Sequence, residues 1–226
     1  MTELRGAVVL VTGASGGLGS RLAAQLTERG AVVVRAGRAG GSLQGPGAYV
    51  ADLREPTGAA SLVAAALQAH GRLDGIVVAA GVVAFGPADA VADDTLAELV
   101  DTNLLAPSRL RRDGAEALAA SAAEGRDPFV VTISGVVAES PTAGMAAYSA
   151  AKAGLAAYVS AASREFRRRG VRLVDARPGH TGTALSEHPI AGSAPAFGAA
   201  LDPDAVAARI VQAIADGEKD LPSTAF

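Results

Sequence analysis

Tyr148 and Lys152 stand four residues apart in a stretch, Met145 to Arg169, whose pattern predicts one long helix, so phenol and ammonium share a helix face one turn apart. An ammonium held beside a phenol favours the phenolate. Free tyrosine titrates near pH 10, and bringing it to neutrality takes about 4 kcal/mol of nearby positive charge. A phenol tuned in this way exchanges a proton with a carbonyl or alcohol oxygen. Taken alone, the same pair also fits an ordinary contact on a helix surface.

The second chemistry-bearing stretch lies near the start of the chain. Ala7 to Thr12 is an apolar, β-branched run, followed by Gly13-Ala14-Ser15-Gly16-Gly17-Leu18-Gly19 and then by helical spacing at Leu18, Leu22 and Leu26. Strand, tight glycine loop and helix N-terminus together suit a pyrophosphate: glycines let backbone N–H groups approach closely, and the helix end favours an anion. The spacing Gly-x-x-x-Gly-x-Gly at Gly13, Gly17 and Gly19 differs from Gly-x-Gly-x-x-Gly, and a glycine-rich turn between strand and helix remains the plain alternative. A dinucleotide bound here would bring a nicotinamide, whose cationic form adds to the charge of Lys152 and whose reduced form carries hydride.

Between and beyond these stretches, apolar runs alternate with helical patterns. Expected strands are Ala31–Val34, Tyr49–Ala51, Ile76–Ala79, Phe129–Ile133 and Val171–Ala176, with helices after Pro56, from Asp93 to Leu118 with an interruption near Pro107, and from Pro203 to Ala215 behind a capping Asp202. Strands apolar throughout indicate a parallel sheet covered on both faces. The chain is thus predicted to be one doubly wound α/β domain of the Rossmann type over residues 1–226, with six strands in the order 3-2-1-4-5-6 and a short seventh from Leu221 onward. Residues 180–201, rich in Gly, Pro, Ala and Ser, read as a mobile substrate flap.

With Thr12-Gly13 to Gly19, Asn103, Ser134 and Tyr148-Ser149-Ala150-Ala151-Lys152 in this order, the chain resembles the short-chain dehydrogenase/reductase family over nearly its whole length. The resemblance implies an NAD(P)-dependent oxidoreductase with Tyr148 as general acid/base and Lys152 also on the nicotinamide ribose. It implies Ser134 on the substrate oxygen and Asn103 holding a relay water. It further assigns the cofactor to Gly13, Ser15, Gly16, Gly17, Leu18 and Gly19, to Asp52 and Leu53 at the adenine, to Ala80 and Gly81, and to Pro178, Gly179, Thr181 and Thr183 on the nicotinamide side. Where the family has an acidic residue ending strand two, this chain has Gly37 followed by Arg38, so NADPH is expected over NADH, with help from Arg35 or Ser15. Likeness to the family also suggests a homodimer or homotetramer built on the helices that carry Asn103 and Tyr148.

The chain departs from the family pattern in three places. Val78-Ala79-Ala80-Gly81 replaces Asn-Asn-Ala-Gly, the position thirteen before Tyr148 is Gly135 with Ser134 one residue earlier, and little chain remains after the last helix to form a seventh strand. The extra residue ahead of Tyr148 should appear as a bulge or widened turn between Ser134 and Ala143.

Composition narrows the classes. Half of the 226 residues are hydrophobic and the formal charge is −3, so nucleic acid is not an expected partner, and the basic runs Arg109–Arg112 and Arg167–Arg169 read as solvated helix faces. Cysteine is absent, which excludes disulfides and thiolate metal sites and suits the cytoplasm; no metal is expected. No leader pattern or membrane-length apolar run is seen. The expected activity is reduction of a small ketone or aldehyde, or oxidation of a secondary alcohol, by hydride transfer. The alternatives are a non-catalytic NADPH-binding regulator and an epimerase or dehydratase on the same scaffold.

Overall fold

A computed structural model describes residues 1–38, 43 and 47–226. Most of the glycine-rich loop expected from Gly37 to Gly47 therefore lies outside the described residues. Seven parallel strands form one sheet: β1 (Val8–Thr12), β2 (Val32–Gly37), β3 (Ala48–Val50), β4 (Gly75–Val78), β5 (Phe129–Ile133), β6 (Arg172–Ala176) and β7 (Asp220–Leu221). Their order is β3-β2-β1-β4-β5-β6-β7, as the alternation of strands and helices predicts. β7 has only two residues, with Asp220 opposite Asp175 and Leu221 opposite Ala176.

Side chains alternate across the sheet and divide the core in two. Val9, Val11, Val77, Val131 and Val174 pack with α1 (Gly17–Glu28) and α6 (Pro203–Asp216). Val8, Leu10, Ile76, Val130 and Leu173 face α2 (Gly58–His70), α4 (Ala106–Ala123) and α5 (Ala146–Arg168). Asp202 caps α6, its carboxylate accepting from the Asp204 N–H.

The helix expected from Asp93 is divided in a different way from that read off the sequence. α3 (Asp93–Val100) runs into a π-helical turn, Asp101–Leu105, and only then into α4, with Pro107 in the first turn of α4 where its missing N–H costs nothing. The widened turn, not the proline, is the interruption, and Asn103 sits in it. The basic run on α4 also differs from a uniformly solvated face. Arg112 is exposed, but Arg111 is fully buried, with its guanidinium 4.6 Å from the centre of the Tyr158 ring. Its guanidinium nitrogens are buried without a hydrogen-bond partner, so burial lowers the group to about 10, and the Tyr158 ring face offsets part of that cost. Arg167, Arg168 and Arg169 are exposed as expected.

Segment 180–201 is irregular but stitched down. Bridges pair Thr181 with Leu201 and Ala84 with Ala191, while Phe85 donates to Ala191 and Ile190 to Val83, both at 2.9 Å. It closes over the loop that follows β4.

Candidate active site

β1 ends in the glycine loop, and its glycines are sterically required. A Cβ on Gly13, where φ is +69°, would stand 2.5 Å from the Ala80 nitrogen, and one on Gly19 would stand 2.1 Å from the Gly13 oxygen. Gly16 caps α1 with no side chain on the first-turn N–H groups, which leaves them open to an outside acceptor. A crowded loop that only glycine can form, ahead of an uncapped twelve-residue helix, fits a pyrophosphate. Thr183 packs on the same loop: a Cβ on Gly17 would lie 2.8 Å from its Cβ.

Beside the glycine loop, Arg38 is exposed immediately after β2, and the Ser15 hydroxyl lies where a side chain at Gly37 would begin, 3.2 Å from its Cβ position. Asp52 is engaged by Arg54 through side chain and backbone, with its shortest contact 2.6 Å, and this pairing holds its carboxyl below the usual range, Arg38 adding a smaller pull. Leu53 beside it is buried.

β4, the π-helical turn and α5 meet at Gly81. A Cβ there would be 3.1 Å from Asn103 Oδ1 and 3.7 Å from Lys152 Nζ. Asn103 is buried and spends both amide protons on backbone, donating to the Val82 and Leu99 carbonyls at 3.0 Å, while its oxygen accepts from Val82 N–H at 3.2 Å. It clamps the loop after β4 to the helix pair, which leaves one lone pair of its oxygen for a water. Lys152 is buried and donates to the Ile133 carbonyl at 2.7 Å; its nitrogen is 5.7 Å from the centre of the Tyr148 ring. Burial lowers Lys152 to about 8, with the Asp175 charge opposing, and raises Tyr148 to about 12. At neutral pH the phenol is therefore protonated and able to donate, beside a lysine that is mostly charged.

Ser134 does not take the place expected for it. It is completely buried, and its hydroxyl donates to Asp175 Oδ2 at 2.6 Å rather than facing the cleft. Thr132, on the same strand face, donates to the other oxygen of Asp175 at 3.2 Å. The bulge is present at the start of the expected interval: Ser134 and Gly135 N–H both donate to the Ala176 carbonyl, at 3.0 and 3.2 Å, and Gly135 takes φ +77°. This bulge turns the chain so that the serine points into the sheet face and the glycine occupies the exit.

The sequence reading missed Asp175 and Arg177. Arg177 bonds Asp175 at 3.1 Å, Asp220 of β7 at 2.8 Å and Glu139 of the loop after β5 at 2.5 Å. Burial raises the Asp175 carboxyl while Ser134, Arg177 and Thr132 pull it down. An acidic residue following the apolar pair Leu173-Val174 inside a strand, with arginine two residues later, was the available signal. Pro178 accepts from Val136 N–H at 2.9 Å, and Thr181 donates to the Gly179 carbonyl at 3.0 Å, so these residues shape the turn from β6 into the flap. The apolar side chains that pack with Tyr148 include Val82, Ala84, Leu99, Phe85 and Met145.

Among proteins of known family, the profile described as short chain dehydrogenase matches residues 7–191. The chain belongs to the short-chain dehydrogenase family. It is 28% identical over 193 residues to 3-oxoacyl-(acyl-carrier-protein) reductase FabG of Vibrio cholerae, covering 82% of this chain and 78% of that one. An uncharacterized oxidoreductase of Methylorubrum extorquens is 32% identical over 198 residues, covering 81% and 76%. Among solved structures, a 3-ketoacyl-(acyl-carrier-protein) reductase from Brucella melitensis complexed with NADH superposes with TM-score 0.86 at 22% identity, covering 97% and 98% of the two chains. A variant of actinorhodin polyketide ketoreductase with NADPH gives 0.81 at 24%, covering 98% and 97%. As a family member the chain is an oxidoreductase that uses a nicotinamide cofactor on small molecules. No helix among the described residues is long and apolar enough to cross a membrane, and no group of three His, Asp or Glu there could hold a metal.

Proposed function

We propose that the protein is an NADPH-dependent reductase of a ketone or aldehyde, able to run in reverse on a secondary alcohol. The observation that carries this reading is Lys152, buried and anchored on Ile133 O, one helical turn from a Tyr148 whose phenol is held protonated. Bound at the glycine loop, the cofactor supplies hydride. The chain does the rest: Tyr148 donates its proton to the developing alkoxide, Lys152 offsets the charge left on the phenolate, and Asn103 fixes the loop above them. Gly13 to Gly19, Asp52, Leu53, Ala80, Gly81, Pro178, Gly179, Thr181 and Thr183 are the proposed cofactor contacts.

The cofactor preference rests on Arg38 and Ser15. A guanidinium and a hydroxyl beside the end of β2, with Gly37 offering no carboxylate, suit a 2′-phosphate. The similar structures named above include complexes with NADH and with NADPH, so the preference is inferred from this chain's own Arg38, Ser15 and Gly37. Assembly into dimers or tetramers is proposed through the α3–α5 face, where Leu96, Val100, Leu105 and Tyr158 are exposed.

The test is a panel of ketones, aldehydes and alcohols with each cofactor, read as the absorbance of reduced nicotinamide. Turnover with NADPH on a carbonyl supports the reading. Cofactor binding without turnover on any of them would make the protein a non-catalytic binder.

A further inference from the structure

We propose that Asp175 is a positioning residue for Lys152: it clasps the strand end from which the ammonium hangs and serves as its counter-charge, which deepens the reductase reading above. The clasp is visible residue by residue. Lys152 donates to the Ile133 carbonyl, and the residues on either side of Ile133 both bond Asp175, Thr132 through one carboxylate oxygen and Ser134 through the other. Two residues before Thr132 and Asp175 stand Val130 and Leu173, which share a core cluster with Leu155 and Val159 of α5. Strand alternation therefore puts Thr132 and Asp175 on the sheet face that α5 covers, and all three of Thr132, Ser134 and Asp175 are buried there.

The balance of charge points the same way. Asp175 accepts from Ser134 at 2.6 Å, Arg177 at 3.1 Å and Thr132 at 3.2 Å, a set of donors that favours the ionised carboxylate. Arg177 is not its dedicated partner, because Glu139 at 2.5 Å and Asp220 at 2.8 Å share the same guanidinium. Three carboxylates on one arginine leave two negative charges over. Two buried cations answer them: Lys152, bonded to a carbonyl, and Arg111, stacked on the ring of Tyr158. Burial lowers both cations, and the Asp175 charge opposes it in each. The remaining titratable groups packed here are the phenols of α5, and Tyr148, raised by burial, is uncharged.

Asp175 touches neither substrate nor cofactor in this scheme. It acts through Lys152, whose charge must persist while Tyr148 gives up its proton.

The sequence offers a direct probe, since Lys152 and the exposed Lys219 are its only lysines. In the full chain carrying ¹³C-labelled lysine, Lys219→Arg leaves one side-chain NMR signal, that of Lys152, with a midpoint expected near pH 8. No substrate is needed, so this measurement stands or fails apart from the reductase reading. Asp175→Asn keeps the size and polarity of the side chain and removes its charge. The Lys152 midpoint should then fall by about half a unit or more, at least a threefold loss of proton affinity, and Asp175→Glu should recover most of it. A midpoint unchanged or raised in folded Asp175→Asn would overturn the proposal, because a purely structural aspartate alters stability and not the lysine titration. If Asp175→Asn does not fold, the coupling is read from its other side. Lys152→Met should raise the pH at which the Asp175 carboxyl carbon titrates, and an identical titration would overturn the proposal. On a carbonyl confirmed in the panel, the alkaline fall of the reduction rate should move with the Lys152 midpoint. A fall that stays in place while the midpoint moves would remove the part of Asp175 in the reaction, whereas turnover on no carbonyl would remove the reductase reading and leave the coupling.

Discussion

Lys152 Nζ lies 2.7 Å from the carbonyl oxygen of Ile133, which ties the ammonium on α5 to the last residue of β5. The strand end thereby aims the lysine, whose nitrogen stands 5.7 Å from the centre of the Tyr148 ring, while burial raises the phenol. Tyr148→Phe should abolish turnover on a confirmed carbonyl with cofactor affinity nearly unchanged, because a single oxygen is removed. Lys152→Ala should damage both, measured by steady-state kinetics and by cofactor titration. A substantial residual rate in Tyr148→Phe would remove the acid assignment.

The pH dependence follows from the same pair. Lys152, lowered to about 8 by burial, is charged below that pH and neutral above it. The rate of carbonyl reduction should hold on the acid side and fall as pH rises through about 8, while Tyr148, raised to about 12, keeps its proton throughout. A reduction profile that climbs across pH 8 would show that the charged lysine is not needed.

Arg38→Ala should raise the NADPH dissociation constant by tenfold or more and leave NADH little changed. Loss of one charge-assisted contact, typically about 1.5–3 kcal/mol, sets that scale. Equal catalytic efficiency of the unaltered protein with the two cofactors would contradict the preference.

Ser134→Ala separates a structural serine from a catalytic one. With its hydroxyl bonded to a buried carboxylate, its loss should lower stability by about 1.5–3 kcal/mol in denaturant unfolding while kcat stays within a few-fold. Asp175→Ala should cost more, roughly 3 kcal/mol or above, since it strands the buried Ser134 hydroxyl and removes a partner of Arg177. A hundredfold fall in kcat for Ser134→Ala would restore the catalytic role.

Strand order, the glycine loop and the Tyr148–Lys152 helix were legible because each rests on local pattern: apolar runs, compulsory glycines and helical spacing. The site's finer geometry was not, because it rests on pairings between distant segments. Nothing local announces that Ser134 bonds Asp175, 41 residues on, or that Arg177 gathers Glu139 and Asp220 as well. The π-helical turn at Asn103 was hidden for a similar reason: Pro107 drew attention to a break, whereas the turn lies upstream of it, at an Asn103 bonded to the distant Val82. Arg111 looked solvated because its neighbours in sequence are charged, yet Tyr158 on the next helix covers it.

The sheet ends on one side in three-residue β3 and on the other in two-residue β7. Neither rim offers a run of unpaired backbone long enough to template another chain, so the native fold resists growth into fibrils by strand addition. The longer strands, β1, β2, β4, β5 and β6, whose Val-rich segments would aggregate if bared, lie between those rims, and Arg177 holds the shorter rim shut through Asp220. Unclasping that arginine would therefore show first as clumping on heating, before any loss of affinity for a dinucleotide.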